Sequence, residues 1–212
     1  MTASGTIKTL HSFTGQDGAD PWSPVILGAD GSMYGMTLFG GSTTCSGGAQ
    51  WQGCGTVFKI DSTGNFKSLH SFSGPDGAYP IAIMQASDGY FYGTTEGGGD
   101  ASCAGRYGPG CGTVFRMDSA GNVTVLYAFT GQSDGSWPES AVIQGTDGSL
   151  YGTTAYGGVN DDGVIFRISN LASLSPSASK SGIEQNVRPI ITPVLVRRPH
   201  VGIPLPGFQE QP

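Results

Sequence analysis

Short apolar runs rich in Val, Ile, Phe, Tyr and Thr alternate along the chain with clusters of Gly, Asp, Asn and Pro, and no stretch carries apolar residues at helical spacing. The pattern predicts many short strands joined by tight turns and almost no helix. It is also periodic. An Asp-Gly pair followed by Tyr-Gly recurs at Asp30-Gly31 with Tyr34-Gly35, at Asp88-Gly89 with Tyr92-Gly93, and at Asp147-Gly148 with Tyr151-Gly152, a spacing of about 58 residues.

Each unit divides into four strand-sized segments. Segment A covers 24–28, 80–86 and 138–145, and the Asp-Gly pair turns it into B at 33–37, 90–95 and 149–154. Asp-Gly suits a type I′ hairpin because both central residues take positive φ. Segment C begins at Gly55, Gly112 and Gly163, and Gly64-Asn65 or Gly121-Asn122 leads into D, which reads FKSLHSF, VTVLYAF and, near the N-terminus, IKTLHSF. The order D-ABC-D-ABC-D-ABC predicts an all-β fold of three four-stranded antiparallel propeller-like blades. It forms either a partial propeller or half of a six-bladed ring, with the first D segment completing the last blade. The repeat domain is expected over 1–170, in units of about 5–62, 63–119 and 120–170. Residues 171–212 carry five prolines between Pro189 and Pro206, and are expected to form a disordered or extended tail.

Composition agrees, with 36 Gly and 13 Pro in 212 residues. Charge adds an exclusion, since residues 1–170 hold 14 acids against 6 bases, which argues against binding a phosphate backbone. No apolar run is long enough to span a bilayer, so no membrane insertion is expected of this chain. The chain opens inside the repeat pattern, and an export signal is expected outside it. All four cysteines fall in the B-to-C loops, Cys45 and Cys54 in the first unit, Cys103 and Cys111 in the second, whereas the short third loop has none. Pairing within each loop is the expected connectivity among three, and it implies an oxidising compartment. A four-thiolate zinc site is the competing reading, but the spacings lack a C-x2-C knuckle. No metal and no cofactor are expected.

The units GTVFKI…GNFKSLHSF…DGAYP…DGYFYGTTEGGG resemble the GloVer-type, choice-of-anchor tandem-repeat family of bacterial exported proteins, over residues 5 to about 170. The resemblance implies a β-propeller-like, exported and surface-attached protein with no established enzyme activity. This chain departs from it by showing neither an anchor nor the longer array.

Successive antiparallel strands reverse direction, so D-to-A and B-to-C connections emerge on one end of the units. That end gathers Trp22, Tyr79 and Trp137 beside the prolines that start A, with Trp51 and Tyr107 in the cysteine loops. Rings fixed beside Asp17, Asp20, Asp76, Asp134, Glu96 and Glu139 suit a sugar, whose apolar face stacks while its hydroxyls bond polar neighbours. Tyr79 and Trp137 are equivalent positions and read equally as packing between blades. Asp30, Asp88 and Asp147 recur because the turn needs them, and His11 and His70 stand where the next copy has Tyr127, an outer-strand packing position. The expected function is a non-catalytic extracellular recognition or scaffold module, with a glycan or cell-surface partner and a homodimer that completes a ring. The alternative is a carbohydrate-active propeller enzyme using a carboxylate pair drawn from Glu96, unique to its copy, and Glu139.

Overall fold

The computed structural model describes residues 5–41, 45, 52–105, 108–169, 171 and 191–194, the last four as backbone only. Its elements follow the periodic pattern. The first sheet holds β1 (Ile26–Leu27), β2 (Met33–Thr37), β3 (Thr56–Ile60) and β4 (Phe66–Ser71) in that order. The second unit contributes β5 (Ala78–Gln85) and β6 (Phe91–Gly97), a two-stranded ribbon of β7 (Ala104–Gly105) and β8 (Gly108–Pro109), then β9 (Thr113–Met117) and β10 (Val123–Ala128). Its sheet runs β5-β6-β9-β10. The third sheet is β11 (Ile143–Gln144), β12 (Leu150–Thr153), β13 (Ile165–Ile168) and β14 (Ile191–Val194). All pairings are antiparallel, and no α-helix occurs among the described residues.

One expectation about the N-terminal end of the chain is corrected. Residues 7–13 form no strand and do not complete the third sheet; β14 fills that outer position, pairing Ile165 with Val194 and Phe166 with Pro193. A proline is tolerated there because an outer strand needs its N–H on one side only. The N-terminal segment is instead held by the first unit. His11 stacks on Phe66 with ring centroids 3.6 Å apart, and Phe13 meets Phe58 at 5.3 Å. Phe13 thereby repeats what Phe72 does to Phe115 and Phe129 does to Phe166, at 5.3 and 5.2 Å.

The recurring letters have local reasons. In each unit one oxygen of the turn aspartate accepts the N–H two residues on, at 3.0 to 3.1 Å, and the other accepts the tyrosine hydroxyl, at 2.7 to 2.9 Å. The glycine after that tyrosine stands opposite a phenylalanine: Gly35 to Phe58, Gly93 to Phe115, Gly152 to Phe166. A Cβ on Gly93 would lie 2.5 Å from the tip of the Phe115 ring, so the sheet has room for the ring only if this residue lacks a side chain.

Hydrophobic packing lies between units. One cluster joins Tyr34, Met36 and Val57 of the first sheet to Ile83, Phe91, Phe115 and Met117 of the second. The other joins Tyr92 and Val114 of the second sheet to Val142, Leu150, Phe166 and Ile168 of the third. Tyr34 and Phe91 pack with centroids 4.3 Å apart. At the turn end the same junctions are sewn by glutamines, because Ala29 N–H donates to Gln85 Oε1 at 2.8 Å and Ser87 N–H to Gln144 Oε1 at 3.0 Å.

Candidate functional site

The D-to-A connections are built on one aspartate each. The backbone N–H groups of Thr14, Ser73 and Thr130 donate to Asp17, Asp76 and Asp134 at 2.8 to 2.9 Å, and the hydroxyls of the same three residues donate as well. A residue from the preceding segment closes the arrangement: His11 meets Asp17 at 2.8 Å, His70 of β4 meets Asp76 at 2.7 Å, and the Tyr127 hydroxyl of β10 donates to Asp134 at 2.8 Å. Burial pushes the Asp76 carboxyl up, but the bonds from His70 and Ser73 outweigh it and hold the group below its ordinary range. Asp134 behaves alike under the bonds from Thr130 and Tyr127, while burial and Asp134 push the Tyr127 phenol up. These three aspartates are therefore committed to holding the turn. The sequence reading placed them beside a ligand; the signal it missed was the recurring His-x5-Asp spacing of His11 with Asp17 and His70 with Asp76.

Two residues after Gly18, Gly77 and Gly135 the backbone takes a left-handed conformation at a residue that precedes proline: Asp20 at φ 57°, Tyr79 at 58° and Trp137 at 56°. This geometry costs on the order of 1 kcal/mol or more for a bulky residue, so the surroundings must impose it. At Tyr79 and Trp137 they do so through the preceding cysteine loop. Tyr79 N–H donates to the Cys54 carbonyl and Trp137 N–H to the Cys111 carbonyl, both at 2.9 Å, and the Trp137 carbonyl accepts from Ala155 N–H at 3.0 Å.

Both disulfides pair within their loops as the spacing predicted, Cys45 with Cys54 and Cys103 with Cys111, with Cα atoms 5.1 and 5.7 Å apart. They are more than clips on surface insertions. Cys54 sits in the first hydrophobic cluster with Tyr79, and Cys111 in the second with Trp137 packed against it. Tyr79 is buried and meets Phe39 edge-on at 5.6 Å; Trp137 is half-buried and meets Tyr156 at 4.8 Å. The buried indole N–H of Trp137 has no acceptor among the described residues.

At this end, between the two cysteine loops, lies a cleft of about 240 Å³ lined by Cys45, Pro75, Tyr79, Ala101 and Pro109 among others. Trp22 stands 73 % exposed on the same end of the first unit. Trp51 and Tyr107 lie outside the described residues. Glu96 is buried at the end of β6 and Glu139 is exposed just past Pro138, so the two carboxyls proposed as a pair sit in unlike settings. Among the described residues no group of three or more His, Cys, Asp or Glu is arranged to hold a metal ion, and no helix is long and apolar enough to cross a membrane.

A solved structure provisionally described as a gluconolactonase is similar to this chain at 13 % identity and a TM-score of 0.39, over 66 % of this chain and 42 % of its own. The chain thus spans less than half the length of that protein. No curated protein matches it. The model of the Gloeobacter/Verrucomicrobia repeat matches residues 41–183, more than half of the sequence. Both disulfide loops and the second and third Asp-Gly/Tyr-Gly steps fall inside that match, and the chain belongs to the Gloeobacter/Verrucomicrobia repeat family.

Proposed function

We propose that this chain is a non-catalytic extracellular recognition module, with the three sheets as blades of a propeller-like array that hold the loop end rigid for a polysaccharide partner. The observation that carries the reading is the cleft between the cysteine loops. Its walls include Tyr79 and two prolines, and such apolar, preformed concavities are where a sugar ring gains most by leaving water. Both of its flanking loops are cross-linked, so little ordering entropy is lost on binding. Trp22, on the same end of the first unit, offers a further exposed ring. The two disulfides support a location outside the cytoplasm, where thiols are not kept reduced. Membership of a repeat family, together with aspartates committed to turns, favours a binding role over a catalytic one.

Affinity electrophoresis through gels cast with single polysaccharides tests this on the whole chain. Retardation by at least one polysaccharide, lost with Ala101→Trp, which fills the cleft, and weakened with Trp22→Ala, is the expected result. If no polysaccharide slows the wild-type protein, or if Ala101→Trp moves as wild type does, the glycan reading is wrong.

A further inference from the structure

The two hydrophobic clusters define how one unit sits on the next, and the outermost faces of the array can be compared with them position by position. Within each cluster the earlier unit contributes a rear face and the later unit a front face. Counting from the turn aspartate in each unit, the front position held by Ile83 in the second unit and Val142 in the third is held by Val25 in the first. Ile83 and Val142 are 5 % and 1 % exposed; Val25 is 52 % exposed. Two residues on, Leu27 occupies the place of Gln85 and Gln144 and stands exposed. The rear position held by Val57 and Val114, both fully buried, is held in the third unit by Ile165, which is 38 % exposed. Thr153, the counterpart of the buried Met36 and Thr94, is exposed as well.

The two ends therefore carry the two halves of a junction that the molecule makes twice internally. We propose that the front face of one chain, at Val25 and Leu27, packs on the rear face of a second copy, at Thr153 and Ile165. Three observations select a second copy as the occupant. The exposed residues keep the apolar character that the buried positions need, whereas a solvated face would carry charge. The complementary face is present on the same molecule, at its other end. The outer edge of β13 is already taken by β14, and Phe58 is already covered by Phe13, so what remains open at each end is the sheet face itself. The junction departs from the internal ones at one point: Leu27 replaces a glutamine clamp with an apolar contact. The contact joins two different faces, so it is heterologous and closes only if the rotation per unit allows it; two chains of three units closing on each other make a ring of six. This inference stands apart from the glycan reading and shares no residue with it.

Sedimentation velocity on the full-length chain tests it with Val25→Asp and Ile165→Asp, each placed at an exposed site so that folding is undisturbed. Wild type is expected to sediment at twice the 21.8 kDa chain mass. Either aspartate, buried without a partner in the junction, is expected to weaken association at least about 100-fold. The two variants mixed in equal amounts keep one intact front and one intact rear face between them, and a mixed dimer is expected to return. A monomeric wild type at high micromolar concentration overturns the proposal, as does a dimer that survives either substitution. Failure of the mixture to associate also overturns it, because it would mean that both residues lie in one self-complementary patch.

Discussion

Asp76 shows what the recurring acids do. Its folded-state carboxyl titrates below the ordinary value of 3.8, so as pH falls the unfolded chain takes up the proton first. The stabilisation is complete above about pH 5 and is lost as pH drops through the folded value. Asp76→Asn should therefore lower the urea midpoint at about pH 6 while flattening its decline toward about pH 3, and a wild-type slope in the variant would show that the carboxylate is not the titrating group. Gly93 makes a different kind of demand. Gly93→Ala drives a methyl group into the Phe115 ring tip and should cost about 1 to 3 kcal/mol, read as a lower melting temperature with an unchanged strand signal. Both positions were conspicuous in the sequence, since they recur in register. What recurrence did not reveal was which atom each residue serves. Asp17, Asp76 and Asp134 look like any loop acid until the His or Tyr six or seven residues earlier is seen to face them, a contact made across the bend of the chain.

At the scale of elements, the strands were legible and the ends were not. The alternation of apolar runs and the Asp-Gly and Gly-Asn turns located β2, β3, β4, β6, β9, β10, β12 and β13, because those signals act over a few residues. The outer strand of the third sheet was missed because its pairing joins residues far apart in sequence. The last residue of β13 and the first of β14 are Ile168 and Ile191, and no local signal marks Ile191–Val194 as a partner. The cysteine loops were paired correctly from spacing alone, while their place in the clusters beneath Tyr79 and Trp137 needed the structure. Removing the second bridge with Cys103→Ala and Cys111→Ala should cost about 2 to 3 kcal/mol by chain entropy. The loss should reach Trp137, whose backbone leans on Cys111, so its fluorescence should shift to the red in the native state. Unchanged emission would show that the bridge acts on its own loop alone.

Over the whole molecule, stability resides between sheets more than inside them, as expected of a repeat array in which each unit contacts its neighbours. Hydrogen exchange should find the slowest amides in β6 and β9, which belong to the unit flanked on both sides, and faster exchange in β1 and in β11, whose Ile143 is exposed. Equal protection across the three sheets would contradict that ranking. The order of dependence among units also has a direction. Tyr79 and Trp137 brace against carbonyls that precede them by two strands and the turn between, and every cluster is closed by residues later in the chain than those that open it. A polypeptide threaded out of a cell N-terminus first would thus meet each finished surface with the next segment to emerge, and every such docking would oppose backsliding through the pore. For a chain exported in that direction, the asymmetry that orders the junctions would turn folding into a ratchet.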